Sequence, residues 1–177
     1  IKSLMFSEHI YRFGNRKSLI GVATTPDNRC TSVGVILLNS GLLHRVGPNR
    51  MYVEMARALS VCGIPVLRFD LSGIGDSARR ADASSFDEAR IRDIREAIDV
   101  FSKNESVAKC VLIGVCTGAD YAHKGALADE RVAGAVFLDG YAYPTLRYYF
   151  KRYGRSLVRP RRWWVSFRAR VIDPLRA

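Results

Sequence analysis

The run Lys109-Cys110-Val111-Leu112-Ile113-Gly114-Val115-Cys116-Thr117-Gly118-Ala119-Asp120 constrains this chain more than any other. Lys109 to Val115 reads as a short apolar strand, and Ala119 to Glu130 is compatible with a helix. Between them lies Gly-x-Cys-x-Gly. A strand that turns at once into a helix, with a nucleophilic side chain at the apex and glycines on both sides, is a nucleophile elbow. The glycines have a physical role: strand and helix approach too closely for a Cβ, and the apex residue is held in a strained conformation. The alternative for Cys116 is a small residue buried at a strand end, as free cysteines often are. The paired glycines and the strand-to-helix setting favour the nucleophile.

The rest of the chain supplies the frame that such an elbow needs. Phe6 to Phe13 alternates apolar and polar residues, Gly14-Asn15 is a turn signal, and Ser18 to Ala23 is a second strand, so an antiparallel hairpin at a sheet edge is expected. Thr25 to Asn28 reads as a loop. Val33 to Leu38 is continuously apolar, as in a strand buried on both faces. Pro48 then opens a helix to about Cys62, with Tyr52, Met55, Ala56 and Leu59 on its inner face. Pro65 to Asp70 is the next strand. Ser85-Phe86-Asp87-Glu88 fits a capping box for a helix to about Lys103, with Ile91, Ile94, Ile98 and Phe101 in one stripe. After the elbow and its helix, Val132 to Leu138 is a last strand, closed by Asp139-Gly140.

Two strands, three strand–helix units and a final strand make an α/β chain: a three-layer αβα sandwich on a mostly parallel sheet, joined by right-handed crossovers. Sites in such sheets lie beyond the carboxyl ends of the strands. Asn39-Ser40-Gly41, the loop Asp70 to Ser77, Cys116 and Asp139 all fall there by topology alone. At 177 residues the chain holds one core of ordinary size. Its net charge of +11 is uneven: residues from Arg147 onward carry ten Lys/Arg against Asp173 alone. That basic stretch is interleaved with aromatic residues from Tyr141 to Phe167 and does not read as another strand–helix unit. The organisation expected is therefore a sheet-bearing core over 1–144 and a basic, aromatic lid or cap segment over 145–177. Such a lid fits over an apolar acyl pocket; residues 147–170 also suit an anionic membrane surface. The nearly neutral body argues against nucleic acid as partner.

The four cysteines have neither metal-ligand spacing nor disulfide density, no apolar run is long enough to span a membrane, and the N-terminus lacks a secretory signal. A reduced cytoplasmic protein is expected, with a position peripheral to the inner membrane as the variant that the basic segment allows. No metal or organic cofactor is implied: Gly73-Ile74-Gly75 lacks the third glycine of a dinucleotide fingerprint.

At the head of a helix, backbone N–H groups converge on Cys116 and the dipole favours an anion there. The amide of Thr117 is one expected oxyanion donor, and Gly41 or Leu42, in the loop after the third strand, is the second. Acyl transfer to water through an acyl-enzyme is the reaction this suits: cleavage of an ester, thioester or lactone. An acyltransferase with another acceptor, or a non-catalytic or surface-binding relative, are the alternatives. A thiol also needs a base and an acid, which follow the nucleophile in this arrangement. Asp139 is placed to be the acid, or to cap its turn. His123 sits two turns down the elbow helix, a poor position for a base, and His44 is expected to line the pocket or order its loop. Catalytic histidine and acid beyond Ala177 are the simpler expectation.

Together, Asn39-Ser40-Gly41, His44 to Arg50, Asp70-Leu71-Ser72-Gly73-Ile74-Gly75-Asp76-Ser77 and Gly114 to Asp120 resemble the α/β-hydrolase superfamily. The likeness is strongest to bacterial hydrolases of exosortase and exopolysaccharide systems, in the serine aminopeptidase and monoacylglycerol-lipase-like group. The resemblance covers about residues 18–170 and implies Cys116 as nucleophile, Thr117 and Leu42 as oxyanion hole, and a lid beginning at Tyr141. Most of that superfamily has serine at the apex, and no matching histidine follows here, so the 177 residues alone imply half of an active site.

Overall fold

Strand patterning in the sequence becomes one six-stranded sheet in the computed structural model, which describes residues 5–82 and 85–140. The strands are β1 (Phe6–Phe13), β2 (Leu19–Pro26), β3 (Val33–Leu38), β4 (Val66–Phe69), β5 (Lys109–Val115) and β6 (Val132–Leu138). The helices are α1 (Met51–Val61), α2 (Phe86–Glu105) and α3 (Thr117–Ala128). Spatial order is β1-β2-β4-β3-β5-β6, with β1–β2 and β2–β4 antiparallel and the other pairs parallel. The unit containing these residues runs from Ile1 to Tyr141. The lid segment expected over 145–177, and Tyr141 with it, lies outside the described residues. Among the described residues no helix is long and apolar enough to cross a membrane.

Two expected boundaries move. β2 runs on to Pro26 because β1 pairs with it along its whole length, Phe6 opposite Pro26 and Phe13 opposite Leu19, so Thr25 and Pro26 belong to the ladder and not to a loop. Pro48 opens a 3₁₀ turn, Pro48–Arg50, in place of the α-helix itself. Asn49 and Arg50 have positive φ there (48° and 64°), so regular helix starts only at Met51. The capping box forms as read: the Ser85 hydroxyl accepts from the Glu88 amide at 3.2 Å. The elbow helix begins immediately at Thr117, two residues before the expected start.

The helices divide between the faces. Ile94, Ile98 and Phe101 of α2 and Tyr121 and Ala122 of α3 bury against Ile36, Leu38, Leu67 and Leu112, forming the larger core. Tyr52 and Ala56 of α1 pack on the opposite face against Val35, Leu37 and Val66, with Met55 and Leu59 at the margin. Ile91 is only partly buried; Arg90 and Asp93 take up the buried face of α2 beside it.

This topology selects the site. From β3 the chain crosses over α1 to β4 on one side, then over α2 to β5 on the other side of β3. The direction of winding reverses between β3 and β5, and the loops leaving these two strands part to form a crevice. Asn39-Ser40-Gly41 leaves β3 and Cys116 leaves β5.

Candidate active site

Cys116 stands between β5 and α3 with φ 56° and ψ −119°, a left-handed backbone that a side-chain-bearing residue adopts only under constraint. The constraint is visible on both sides. A Cβ on Gly114 would lie 1.9 Å from the Gly118 carbonyl oxygen, and one on Gly118 would lie 2.7 Å from the Asn39 oxygen. Backbone therefore meets backbone at this turn, and α3 is pressed against the ends of β5 and β3. The Cys116 amide donates to Leu138 O at 2.9 Å, and the Ala119 amide donates back to Cys116 O at 3.0 Å, which closes the first turn of α3. Cys116 is partly exposed.

The facing loop is tied to the elbow by one bond. Gly41 N–H donates to the Thr117 hydroxyl at 2.7 Å. Thr117 is the first residue of α3, so its own amide has no intrahelical acceptor. Leu42, the next residue of the loop, is 87% exposed. Asp139 follows Leu138, the residue that accepts from the Cys116 amide, and is exposed with φ 50°. Tyr141 lies outside the described residues.

Behind the loop is a residue whose role sequence reading missed. Asp70 is fully buried at the end of β4. Its carboxylate accepts from Asn39 Nδ2 (3.1 Å), the Arg45 amide (2.6 Å) and the Asp76 amide (3.2 Å), and from the Arg45 guanidinium. Asn39 in turn donates to Leu43 O at 2.8 Å and accepts from the Leu71 amide at 2.8 Å. One anion thus fastens both strand-end loops, and Arg45 balances its charge. The signal was available: β3 and β4 pair with Leu37 opposite Arg68, and two residues further on this register brings Asn39 level with Asp70. Each is the first polar residue after an apolar strand end.

His44 orders this loop. Its Nε2 lies 3.1 Å from Asp76 Oδ2 and 2.7 Å from Arg45 Nη1. It donates to the first with a proton on Nε2 and accepts from the second without one. His44 and then Arg45 hold the Asp76 carboxyl below the usual carboxylate range. His44, Asp70 and Asp76 are also a set of three potential metal ligands brought together from distant positions, which spacing along the sequence did not show. Arg45 Nη1 contacts all three, at 2.8 Å from Asp76, and so supplies a cation where a metal ion would sit. The other histidines are elsewhere. His9 bonds Ser7 Oγ at 3.0 Å on exposed β1, and His123 meets the Phe137 ring edge-on at 5.9 Å. Of the remaining cysteines, Cys110 is buried and its thiol is pushed up to about 12 by desolvation, which suits a structural residue.

An open cleft of about 510 Å³ begins at Leu42 and runs past Ser72 and Gly73 to Phe86 and Arg90 of α2. It places a volume directly beside the loop after β3.

This architecture is shared with solved hydrolases. The chain superposes on a cold-adapted esterase from an Arctic intertidal metagenomic library with a TM-score of 0.60 at 19% identity, over 77% of this chain and 62% of that one. It superposes on a Pyrococcus furiosus esterase with a TM-score of 0.60 at 20% identity, over 76% and 49% of the two chains. For an α/β serine hydrolase homologue from Coxiella burnetii the TM-score is 0.54 at 20% identity, over 74% and 61%. The chain thus spans between 49% and 62% of these proteins' lengths. No curated protein matches it. The family known as Hydrolase_4, described as serine aminopeptidase, S33, matches residues 32–172. That match is coarser than the exosortase-associated branch suggested by His44 to Arg50, but it spans β3 to β6 and with them the elbow. By that match, and by a strained elbow set at the switch point of a mixed sheet, the chain belongs to the serine aminopeptidase-like family of α/β-hydrolases.

Proposed function

We propose that this chain carries the nucleophile half of an acyl hydrolase that cleaves esters or thioesters through Cys116. The observation that carries the reading is the Cys116 backbone, at φ 56° between two glycines whose Cβ positions are filled by main chain. Strain of this kind persists where the surroundings impose it, and here it presents one thiol at the head of α3. The Cys116 Sγ attacks the acyl carbon, the C–S bond forms, and the carbonyl oxygen becomes an oxyanion. The Thr117 amide faces that oxygen as the first donor. Gly41 N–H is engaged by the Thr117 hydroxyl, which favours Leu42 as the second. Collapse of the intermediate releases the alcohol or thiol, which takes a proton. Water then cleaves the thioester and frees both the acid and Cys116. Deprotonation of the thiol and protonation of the leaving group are assigned to a histidine outside these 177 residues, with Asp139 as its candidate orienting acid.

The esterase names of two structural neighbours agree with this choice of substrate class. The test is hydrolysis of p-nitrophenyl butyrate and of a short acyl thioester by the full-length protein, against Cys116→Ala and Cys116→Ser. Loss of at least a thousandfold in kcat/KM is expected for Cys116→Ala, with an acyl-enzyme trapped on Cys116 by mass spectrometry. Undiminished turnover by Cys116→Ala would remove Cys116 from the mechanism.

A further inference from the structure

The cleft beside Leu42 has an unusual lining. Three of its nine described lining residues are arginines, Arg79, Arg80 and Arg90, and none of the nine is acidic. Their pairing differs. Arg80 is consumed from behind: it donates to Asp93 at 2.9 Å, to Glu96 at 2.8 and 3.0 Å, and to Asp82 at 3.0 and 3.2 Å. Arg79 is exposed, and among the described residues no carboxylate pairs with it. Its stem rests on Gly73, where a Cβ would come within 3.0 Å of Arg79 Cγ.

Arg90 is the informative residue. Its side chain is only 7% exposed, yet it lines the cleft. The guanidinium lies over the Phe86 ring at 4.4 Å and nearer that ring than Tyr121, at 6.0 Å. One nitrogen donates to Ser72 O at 2.6 Å. The nearest acid is Asp93, at 3.6 Å, and Asp93 is already occupied by the Ser72 amide, the Ser72 hydroxyl and Arg80. Arg90 Nε is buried and, like Arg45 Nε and Arg68 Nε, has no acceptor among the described residues. A buried arginine donor left unmatched is costly, and such groups in native proteins call for a partner. An arginine fixed by stacking, with a second arginine in the same lining that has no acidic partner among the described residues, is suited to the planar or tetrahedral oxygens of an anion.

We infer that this cleft is an anion subsite, in which Arg79 and Arg90 hold a carboxylate or phosphate borne by the substrate at a distance from the reacting acyl carbon. The inference rests on the acyl-hydrolase reading for its connection to catalysis. It rests on the lining for its chemistry. The connection is short: Leu42 opens the cleft, and Gly41 before it is bonded to Thr117, the neighbour of Cys116. An acyl group entering the oxyanion hole has room to extend along Leu42 toward the arginines.

The test compares two p-nitrophenyl esters of equal chain length, the neutral butyrate and the ω-carboxylated hemisuccinate, with the full-length protein. The ratio of their kcat/KM values is expected to favour the hemisuccinate, and Arg79→Glu to lower that ratio at least tenfold. Lys103→Glu, the same charge change at the far end of α2, is expected to leave the ratio unaltered and so separates a local contact from the overall field. Arg90→Lys keeps the charge but loses the planar fork and is expected to lower the ratio too. Because buried Arg90 also affects folding, exposed Arg79 carries the decision. A ratio near one in the parent protein, or a ratio untouched by Arg79→Glu, overturns the subsite. Calorimetry with glutarate and with inorganic phosphate is read independently of turnover: binding of either, weakened tenfold by Arg79→Glu, supports the subsite even if neither ester is cleaved, in which case only the hydrolase reading falls. Which of the two anions binds distinguishes a dicarboxylic from a phosphorylated substrate, and binding of neither overturns the proposal.

Discussion

At the elbow, Gly114 and Gly118 let main chain touch main chain, and Cys116 takes its φ of 56° because strand and helix leave it no other. Across the crevice, the loop after β3 has room around it: a Cβ on Gly41 would meet none of the described residues within 4 Å. That loop is held by polar bonds instead, three of them ending on the Asp70 carboxylate. One wall of the site is positioned by steric exclusion and the other by a buried charge. The two walls should therefore fail in different ways when single atoms are added or removed.

The largest effect is expected on the charged wall. Asp70→Ala removes the acceptor shared by Asn39, Arg45 and Asp76 and leaves the Arg45 guanidinium, itself only 12% exposed, without its buried partner. Breaking a buried pair from one side costs about 3–5 kcal/mol. Urea unfolding should show a loss of that size, and Asp70→Asn, which keeps an acceptor oxygen, a smaller one. A stability change below about 1 kcal/mol for Asp70→Ala, within the range of an ordinary surface pair, would deny Asp70 its central place.

Gly114→Ala tests the other wall. Gly114 is absent from the residues with positive φ, so alanine is compatible with its backbone and the whole cost is steric. The new methyl would stand 1.9 Å from Gly118 O, a main-chain atom that moves only if α3 moves. About 3 kcal/mol is expected, at the upper end for overpacking. The shift of α3 would also displace Cys116 and Thr117 together. Acyl transfer should therefore fall much further than the folded fraction, which circular dichroism and kcat/KM on one preparation can separate.

These contrasts also explain what was legible beforehand. Steric devices show as residue types at fixed spacing, so Gly-x-Cys-x-Gly disclosed the elbow, and Ser85 with Glu88 disclosed the head of α2. The apolar runs of β3, β5 and β6 gave their strands end to end. The Asp70 hub joins residues 25 and 31 positions apart, and its members are ordinary loop polar residues until the β3–β4 register sets them level. The arginine lining was hidden for the same reason. Arg79 and Arg90 belong to different segments, and only folding shows that Arg80 is held by three carboxylates, Arg90 lies 3.6 Å from Asp93 alone, and Arg79 has no acidic partner among the described residues. Pro48 misled in the opposite direction: proline marks the start of a helical turn, but Asn49 and Arg50 take left-handed angles before Met51.

Gly41 offers the smallest and sharpest comparison with Gly114. Its φ is 59°, in the left-handed region, and among the described residues the space beside it is open. Alanine there meets none of their atoms and keeps the N–H that donates to Thr117 Oγ1. What it loses is conformational, and a left-handed alanine costs about 1 kcal/mol. Asparagine tolerates this region better than alanine because its side chain bonds locally, so Gly41→Asn should lie between glycine and alanine. The expected order of melting temperature is glycine, asparagine, alanine, with all three spread over a few degrees. At Gly114 glycine should again melt highest but alanine and asparagine should exchange places, since asparagine is larger and only size matters there. Were Gly41→Asn to melt below Gly41→Ala, the loop would be limited by contact and not by dihedral angle, and the two walls would be alike after all.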